Sequence, residues 1–220
     1  MRVVLSRPDQ PSTLLADLTD RRINYSPTEV GRGWFADDHP RVLGYERPGP
    51  PGELWARARE LVAGYEFAPP ELIQAHYATG SPLLGRHMVL EGRFLFARFL
   101  MGVRVTEVID ESTPTCTRWG WSYETLTGHL ERGKVTFQVT KSHTTGRVEF
   151  RATSYSKPSH TAHPLIRLGW AIFGRATQRR FYRRIGEQMV AFTAPTPITT
   201  APTLRSTPHT HPALTLIDAG

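Results

Sequence analysis

The stretch from Trp121 to Val139, WSYETLTGHLERGKVTFQV, sets a histidine and a carboxylate two residues apart, His129 and Glu131, between two segments of strand character. Imidazole titrates near neutral pH, and a carboxylate beside it can orient the ring and raise its pKa, so the pair could exchange protons with a substrate. Tyr123 upstream and Tyr155 downstream add phenolic hydroxyls that could take part. Tyr123, His129, Glu131 and Tyr155 are therefore the candidate catalytic residues. Gly128 and Gly133 bracket the histidine and glutamate, however, and describe a hairpin turn equally well. The turn reading is favoured, because acid–base chemistry also needs a cavity and a third, orienting group.

Binding is the other chemistry in view. Trp119, Trp121 and Tyr123 alternate, so their rings share one face of a strand, and Phe137 and Phe150 come from the strands that follow. On a concave face these five residues would wall an apolar ligand pocket; beneath a helix they would be plain core. Two histidine pairs, His160 with His163 and His209 with His211, have metal-like spacing but sit in a polar linker and a Pro/Thr-rich tail, so no metal is expected. Cys116 is the single cysteine, which excludes an intrachain disulfide and a multi-cysteine zinc site. No phosphate-cradling, dinucleotide or nucleophile-elbow motif is present, and no cofactor is expected.

The elements that must position these residues follow from periodicity. Residues 12–18 suggest a short helical turn and residues 23–25 a brief strand, followed by a region broken by proline and glycine as far as ERPGPPG. PGELWARARELVAGYEF is a helix, with Leu54, Ala58, Leu61 and Tyr65 on one face. PPELIQAHYA reads as a second, shorter helix with proline in its first turn. From Gly85 the period changes to that of strands, with interruptions expected at Gly92 and Gly102. Alternation is clearest at Val135, Phe137 and Val139, and at Val148, Phe150 and Ala152, with HTTGR as the turn between. A last helix spans about Pro164 to Phe192, bent near Gly169 and Gly174 and roughly 40 Å long. Helices segregated from a run of antiparallel strands give an α+β class: a curved antiparallel sheet wrapped around a long C-terminal helix, the helix-grip arrangement of START-like and Bet v 1-like domains. The expected division is an extension over residues 1–22, one domain over 23–193, and a disordered tail over 194–220.

INYSPTEVG, LWARARELV, SYETLTGHLERGKVTF, GRVEFRATSYSKP and RATQRRFYRRIGEQM together resemble the DUF1990 family, also called UPF0548, of uncharacterised bacterial and plant proteins. The resemblance runs from about Tyr25 to Val190, and its most specific piece falls on Thr125, Leu126, Gly128, His129, Glu131, Gly133 and Phe137. Glu124 stands where the family usually has glycine, Leu130 where it has proline, and Lys134 with Val135 where it has two acids. The resemblance implies a divergent member and a fold; no reaction comes with it.

At 220 residues and 39% hydrophobic, the chain can build one substantial core. Its net charge of +7 is concentrated between Leu165 and Ala194, where six arginines face the single acid Glu187. That helix leaves open a weak contact with a membrane surface, whereas the aromatic and basic interleaving of an RNA-binding sheet is missing, so no specific nucleic acid is expected. The N-terminus lacks a continuous apolar signal segment, which makes a cytoplasmic location the expectation. Three functions stay open. One is binding of a small apolar or amphipathic molecule, in a biosynthetic setting, between sheet and helix; the second is a cofactor-independent cyclase, isomerase or dehydratase in the same cavity; the third is a peripheral membrane or nucleic-acid adaptor acting through the basic C-terminal helix.

Overall fold

A computed structural model describes residues 10–94, 97–159, 164–194 and 214–217. The alternating segments form strands β1 (Phe35–Tyr45), β2 (Ile73–Ala78), β3 (His87–Phe94), β4 (Ala97–Ser112), β5 (Cys116–Thr125), β6 (Glu131–Ser142), β7 (Arg147–Pro158) and β8 (Leu214–Ile217). They join one curled sheet in the order β1-β7-β6-β5-β4-β3-β2-β8. Every pairing from β1 to β2 is antiparallel, and β8 lies parallel to β2. Helices α1 (Gln10–Asp17), α2 (Glu53–Gly64) and α3 (Pro164–Thr193) complete the fold, an α+β helix grip.

Both α2 and α3 lie on the inner face of the sheet. Ala58 and Val62 of α2, and Tyr182, Ile185 and Met189 of α3, share one core with Val105, Trp121, Phe137, Val139, Phe150 and Ala152 of the strands. The residues between those, such as Ser122 and Tyr155, point the other way, as a period of two requires. On the outer face, Leu14, Leu15 and Leu18 from α1 and the loop after it cover Val89, Leu100 and Leu126 as a second, smaller cluster.

Helix α2 ends at Tyr65, which adopts a left-handed conformation (φ 59°) and caps the helix by donating its backbone N–H to Leu61 O and Val62 O. This reversal turns Tyr65 and Phe67 back onto the sheet. The Phe67 ring lies 4.8 Å from Phe137 and 5.3 Å from Phe150, while the Tyr65 ring lies 5.8 Å from Trp121. Trp121 Nε1 donates to Val62 O at 2.8 Å, so its one polar atom is satisfied inside the core.

Three expectations need correction. PPELIQAHYA is not a helix: its chain turns after Pro70 and enters β2, with Ala75 and Tyr77 inward and Gln74 and His76 outward. The prolines suit a turn as well as a helix start, and pairing with β3 decides between them. The region before ERPGPPG contains β1, which keeps Pro40 because it pairs with β7 on one side and forms the end of the sheet. Gly92 and Gly102 lie inside β3 and β4 rather than breaking them; a side chain at Gly102 would meet Leu18 at 2.4 Å, so glycine is what admits Leu18 onto the sheet. The expected tail falls outside the described residues apart from Ala194 and β8, as do His160, His163, His209 and His211.

Candidate functional site

The hairpin between β5 and β6 is held by a segment far away in sequence. Asn24 donates its backbone N–H to Thr125 O (3.1 Å) and its Nδ2 to Glu131 O (2.9 Å), and accepts from Thr125 Oγ1 at its own Oδ1 (2.6 Å). Thr125 Oγ1 in turn accepts from Gly133 N (2.9 Å), and Ile23 bridges to Leu126. Gly128 makes the turn with φ 93°.

His129 is 8% exposed and inside this knot. Its Nδ1 lies 2.9 Å from Glu131 N and 3.1 Å from Glu131 O. A backbone amide always carries its hydrogen, so Nδ1 must accept from it, and Nε2 must carry the ring proton. Burial holds the imidazole down to a pKa of about 4, against the backbone contact with Glu131. A side-chain acid–base pairing is therefore not what joins these two residues. Their contact runs through the backbone of Glu131, and the imidazole is pushed toward its neutral form.

Both residues nevertheless face a common space. A pocket of about 120 Å³ opens between the inner face of the sheet and α3, and Tyr123, His129 and Glu131 line it together with Gln178 and Tyr182. Leu72, Leu90, Phe99, Met101, Val135 and Phe181 form its apolar side.

The Glu131 carboxylate is fixed by Gln178, whose Nε2 lies 3.2 Å and 3.1 Å from its two oxygens and 3.3 Å from Ser156 Oγ. The other end of that amide, Oε1, accepts from Arg175 Nη1 at 3.1 Å. Arg175 grips Asp37 with both terminal nitrogens, at 2.6 and 3.1 Å, and its guanidinium lies over Phe35. The hydrogen bond to Asp37 keeps the guanidinium pKa raised. Hydrogen bonds thus link Asp37 through Arg175 and the Gln178 amide to Glu131, a chain running from β1 across α3 to the pocket.

The two phenols at the pocket are neutral. Burial raises Tyr123 well above the ordinary tyrosine range, with the neighbouring Tyr65 and Tyr182 phenols and Glu131 adding to it. Tyr182 is raised as well, chiefly by burial, and its ring stacks on His39 with centroids 4.4 Å apart. The imidazole and the phenols are thus neutral hydrogen-bonding groups beside the Glu131 carboxyl.

The other candidates lie elsewhere. Trp119, Trp121, Phe137 and Phe150 do share the inner face with Tyr123, but they pack beneath α2, Tyr65 and Phe67 and do not line the pocket. Arg59 covers Trp119, its guanidinium 4.9 Å from the ring centroid. Tyr155 is on the outer face, its hydroxyl 3.0 Å from that of Tyr25, and Tyr25 also donates to the Glu124 carboxylate. With Trp34 these two rings form a closed aromatic cluster with centroids 5.5 to 6.0 Å apart. Gln178, Tyr182, Arg175 and Asp37 were not anticipated as site residues; the only trace in the sequence is that Gln178 and Tyr182 are four apart on one helix, the spacing of a shared face.

Among the described residues, no three His, Cys, Asp or Glu side chains gather as metal ligands, and no helix is long and apolar enough to cross a membrane. Comparison with known proteins gives the chain its relatives. A UPF0548 protein of Deinococcus radiodurans is 29% identical, with 84% of this chain and 96% of that protein covered. Among solved structures, a hypothetical protein of Helicobacter pylori aligns with a TM-score of 0.48 at 9% identity, over 78% of this chain and 96% of that one. Ginseng major latex-like protein 151 from Panax ginseng aligns with a TM-score of 0.44 at 10% identity, over 74% and 99%. Residues 19–188 match the domain of unknown function DUF1990, and the chain belongs to that family.

Proposed function

We propose that this protein binds a small amphipathic molecule in the pocket between its sheet and α3. The observation that carries the reading is the two-sided lining: apolar side chains such as Leu90, Met101 and Phe181 oppose Tyr123, His129 and Glu131. A volume of about 120 Å³ suits a moiety of one ring or a short chain, with the rest of a larger molecule extending through the mouth. Native mass spectrometry of the protein purified from its own host tests for a retained molecule, and Val135→Trp, which fills the pocket, should release it while circular dichroism stays unchanged. Retention of the molecule by the folded Val135→Trp protein would place the binding site elsewhere.

A second reading, acid–base catalysis in the same pocket, is favoured by the convergence of Tyr123, His129 and Glu131. In that reading the Glu131 carboxylate takes the proton, while His129 Nε2 and the Tyr123 hydroxyl steady charge on the substrate. Glu131→Gln should then abolish turnover of the retained molecule and leave its binding within a few-fold; unchanged turnover would remove this reading. Contact with a membrane surface through α3 is less supported, since Arg175 pairs with Asp37, Arg184 with Glu71 and Glu187, and Arg183 with Glu187.

A further inference from the structure

The two margins of the antiparallel sheet are built differently. β1 carries Pro40 within the strand and shifts register between Val42 and Gly44, and both features interrupt the row of donors and acceptors that a further strand would need. β2 has neither: Ile73–Ala78 contains no proline, and its ladder with β3 runs without a shift from Ile73 opposite Gly92 to His76 opposite Val89. A regular edge of this kind is a template for another strand. β8 takes it, in parallel, from Leu214 opposite Ala75 to Ile217 opposite Ala78. The β3 ladder ends at His76, so Tyr77 and Ala78 find their strand partner in β8.

β8 is held less firmly than the other strands. With four residues it is the shortest strand of the sheet, and it lies at the margin. An element with so few pairings opens at a lower free energy than the whole domain. It is joined to α3 through residues 194–213, a length of chain that can reach up to about 70 Å. Its own β2 edge is then one of two within range, because a second molecule offers the same row of backbone groups in the same register.

We propose that the β2 edge is an acceptor site for residues 214–217 of a second copy of this chain, two molecules exchanging their β8 strands about a two-fold axis. Exchange makes between molecules the pairs that one chain makes within itself, so no new contact has to be found, and the reciprocal form leaves neither β2 edge open. What it must overcome is the local concentration that the tether gives the strand at its own edge, on the order of millimolar. The exchanged dimer is accordingly a species of high protein concentration.

The test is sedimentation equilibrium of the full chain from about 20 µM to about 1 mM, with a monomer expected at the low end and at least about a third of the chains dimeric at the high end. Thr215→Pro with Leu216→Pro removes the N–H of whichever of these neighbours faces β2, and should remain monomeric throughout with near-ultraviolet circular dichroism unchanged. A cross-link identifies the strand that crosses. In a Cys116→Ser background, which removes the single native thiol, chains with Ala78→Cys are mixed with chains with Ile217→Cys and treated with a short bismaleimide. Ala78 is half-buried at the end of the ladder and directly opposite Ile217, so a cross-linked heterodimer should form, and its yield should fall by at least about tenfold when the second chain also carries the two prolines. A wild-type chain that is wholly monomeric at the highest concentration would overturn the proposal. So would a dimer that persists in the double-proline variant, or a mixture that yields no heterodimer.

Discussion

The Lys141 ammonium, completely buried, meets the Glu46 carboxylate at 2.8 Å, and Glu46 at the same time accepts the backbone N–H groups of Gly52 and Trp55 at the start of α2. One carboxylate thus joins β6 to the amino end of the helix that seals the inner face, where an anion also meets the positive end of the helix dipole. Burial alone would raise the Glu46 pKa; Lys141 and the two amides outweigh it and hold the group below its ordinary value. Lys141→Met leaves the carboxylate without its cation in a half-dry site and should cost about 3 kcal/mol, read as a lower urea midpoint at unchanged slope.

His129 makes stability depend on pH in a separate window. Its folded pKa of about 4 lies below the ordinary 6.5, so the unfolded chain binds the proton first as acid is added. The stability is fully present above about pH 6.5 and should fall by something on the order of 3 kcal/mol by pH 4. His76, lowered by burial in spite of Glu91 at 3.3 Å, adds a slope of the same sign. Urea unfolding of the wild type and His129→Asn at about pH 7 and pH 5 should show a clearly smaller loss in the variant.

Gln178 should matter to the pocket although sequence alone gives it no role. Gln178→Leu removes the donor at both Glu131 oxygens while Arg175 keeps its two bonds to Asp37. The expected cost is about 1.5–3 kcal/mol, because these hydrogen bonds are made to a charged group. Unfolding measurements give the stability, and native mass spectrometry should show weaker retention of the small molecule proposed above as the Glu131 carboxyl loses its fixed orientation.

Tyr25→Phe is the complementary case on the outer face. It deletes the hydrogen bonds to Glu124 and Tyr155 and should destabilise by about 1–2 kcal/mol. Since neither Tyr25 nor its partners line the pocket, retention of the proposed small molecule in native mass spectrometry should stay within about twofold of wild type. A larger change would show that the two faces are coupled through β5 and β7.

Much of the sheet was legible because its strands are buried on one side. The alternation at Val135, Phe137 and Val139, and at Val148, Phe150 and Ala152, is the burial pattern of β6 and β7, with the second set fully inward. The helix-like ELWARARELVAG also needed no tertiary help, and α2 covers those residues. β1 and β2 were hidden because Pro40 and Pro70 carry strong local signals that strand pairing overrode.

The pocket was legible only in part. Periodicity puts Trp119, Trp121 and Tyr123 on one face, and they are on one face. It does not say which stretch of that face is covered, since this depends on Tyr65 and Phe67 arriving from more than fifty residues upstream. For the same reason the His129 hairpin could be read as turn or site: Asn24 locks it as a turn, and the locked turn puts His129 and Glu131 on the wall of the pocket. Gly133 belongs to this lock, because a side chain there would strike Tyr155 O at 2.1 Å.

The left-handed residue that ends α2 has a consequence for capacity. By sending Tyr65 and Phe67 down onto Trp121, Phe137 and Phe150, it installs a plug behind Tyr123. How much of the inner face is covered beside Tyr123 is then set by a loop of a few residues, not by the length of the sheet or of α3. Shortening the Phe67 side chain would open a void against Phe137 and Phe150 without removing a backbone hydrogen bond of the sheet, so the covered part of the inner face can change through this loop while Gln178 keeps its hold on Glu131.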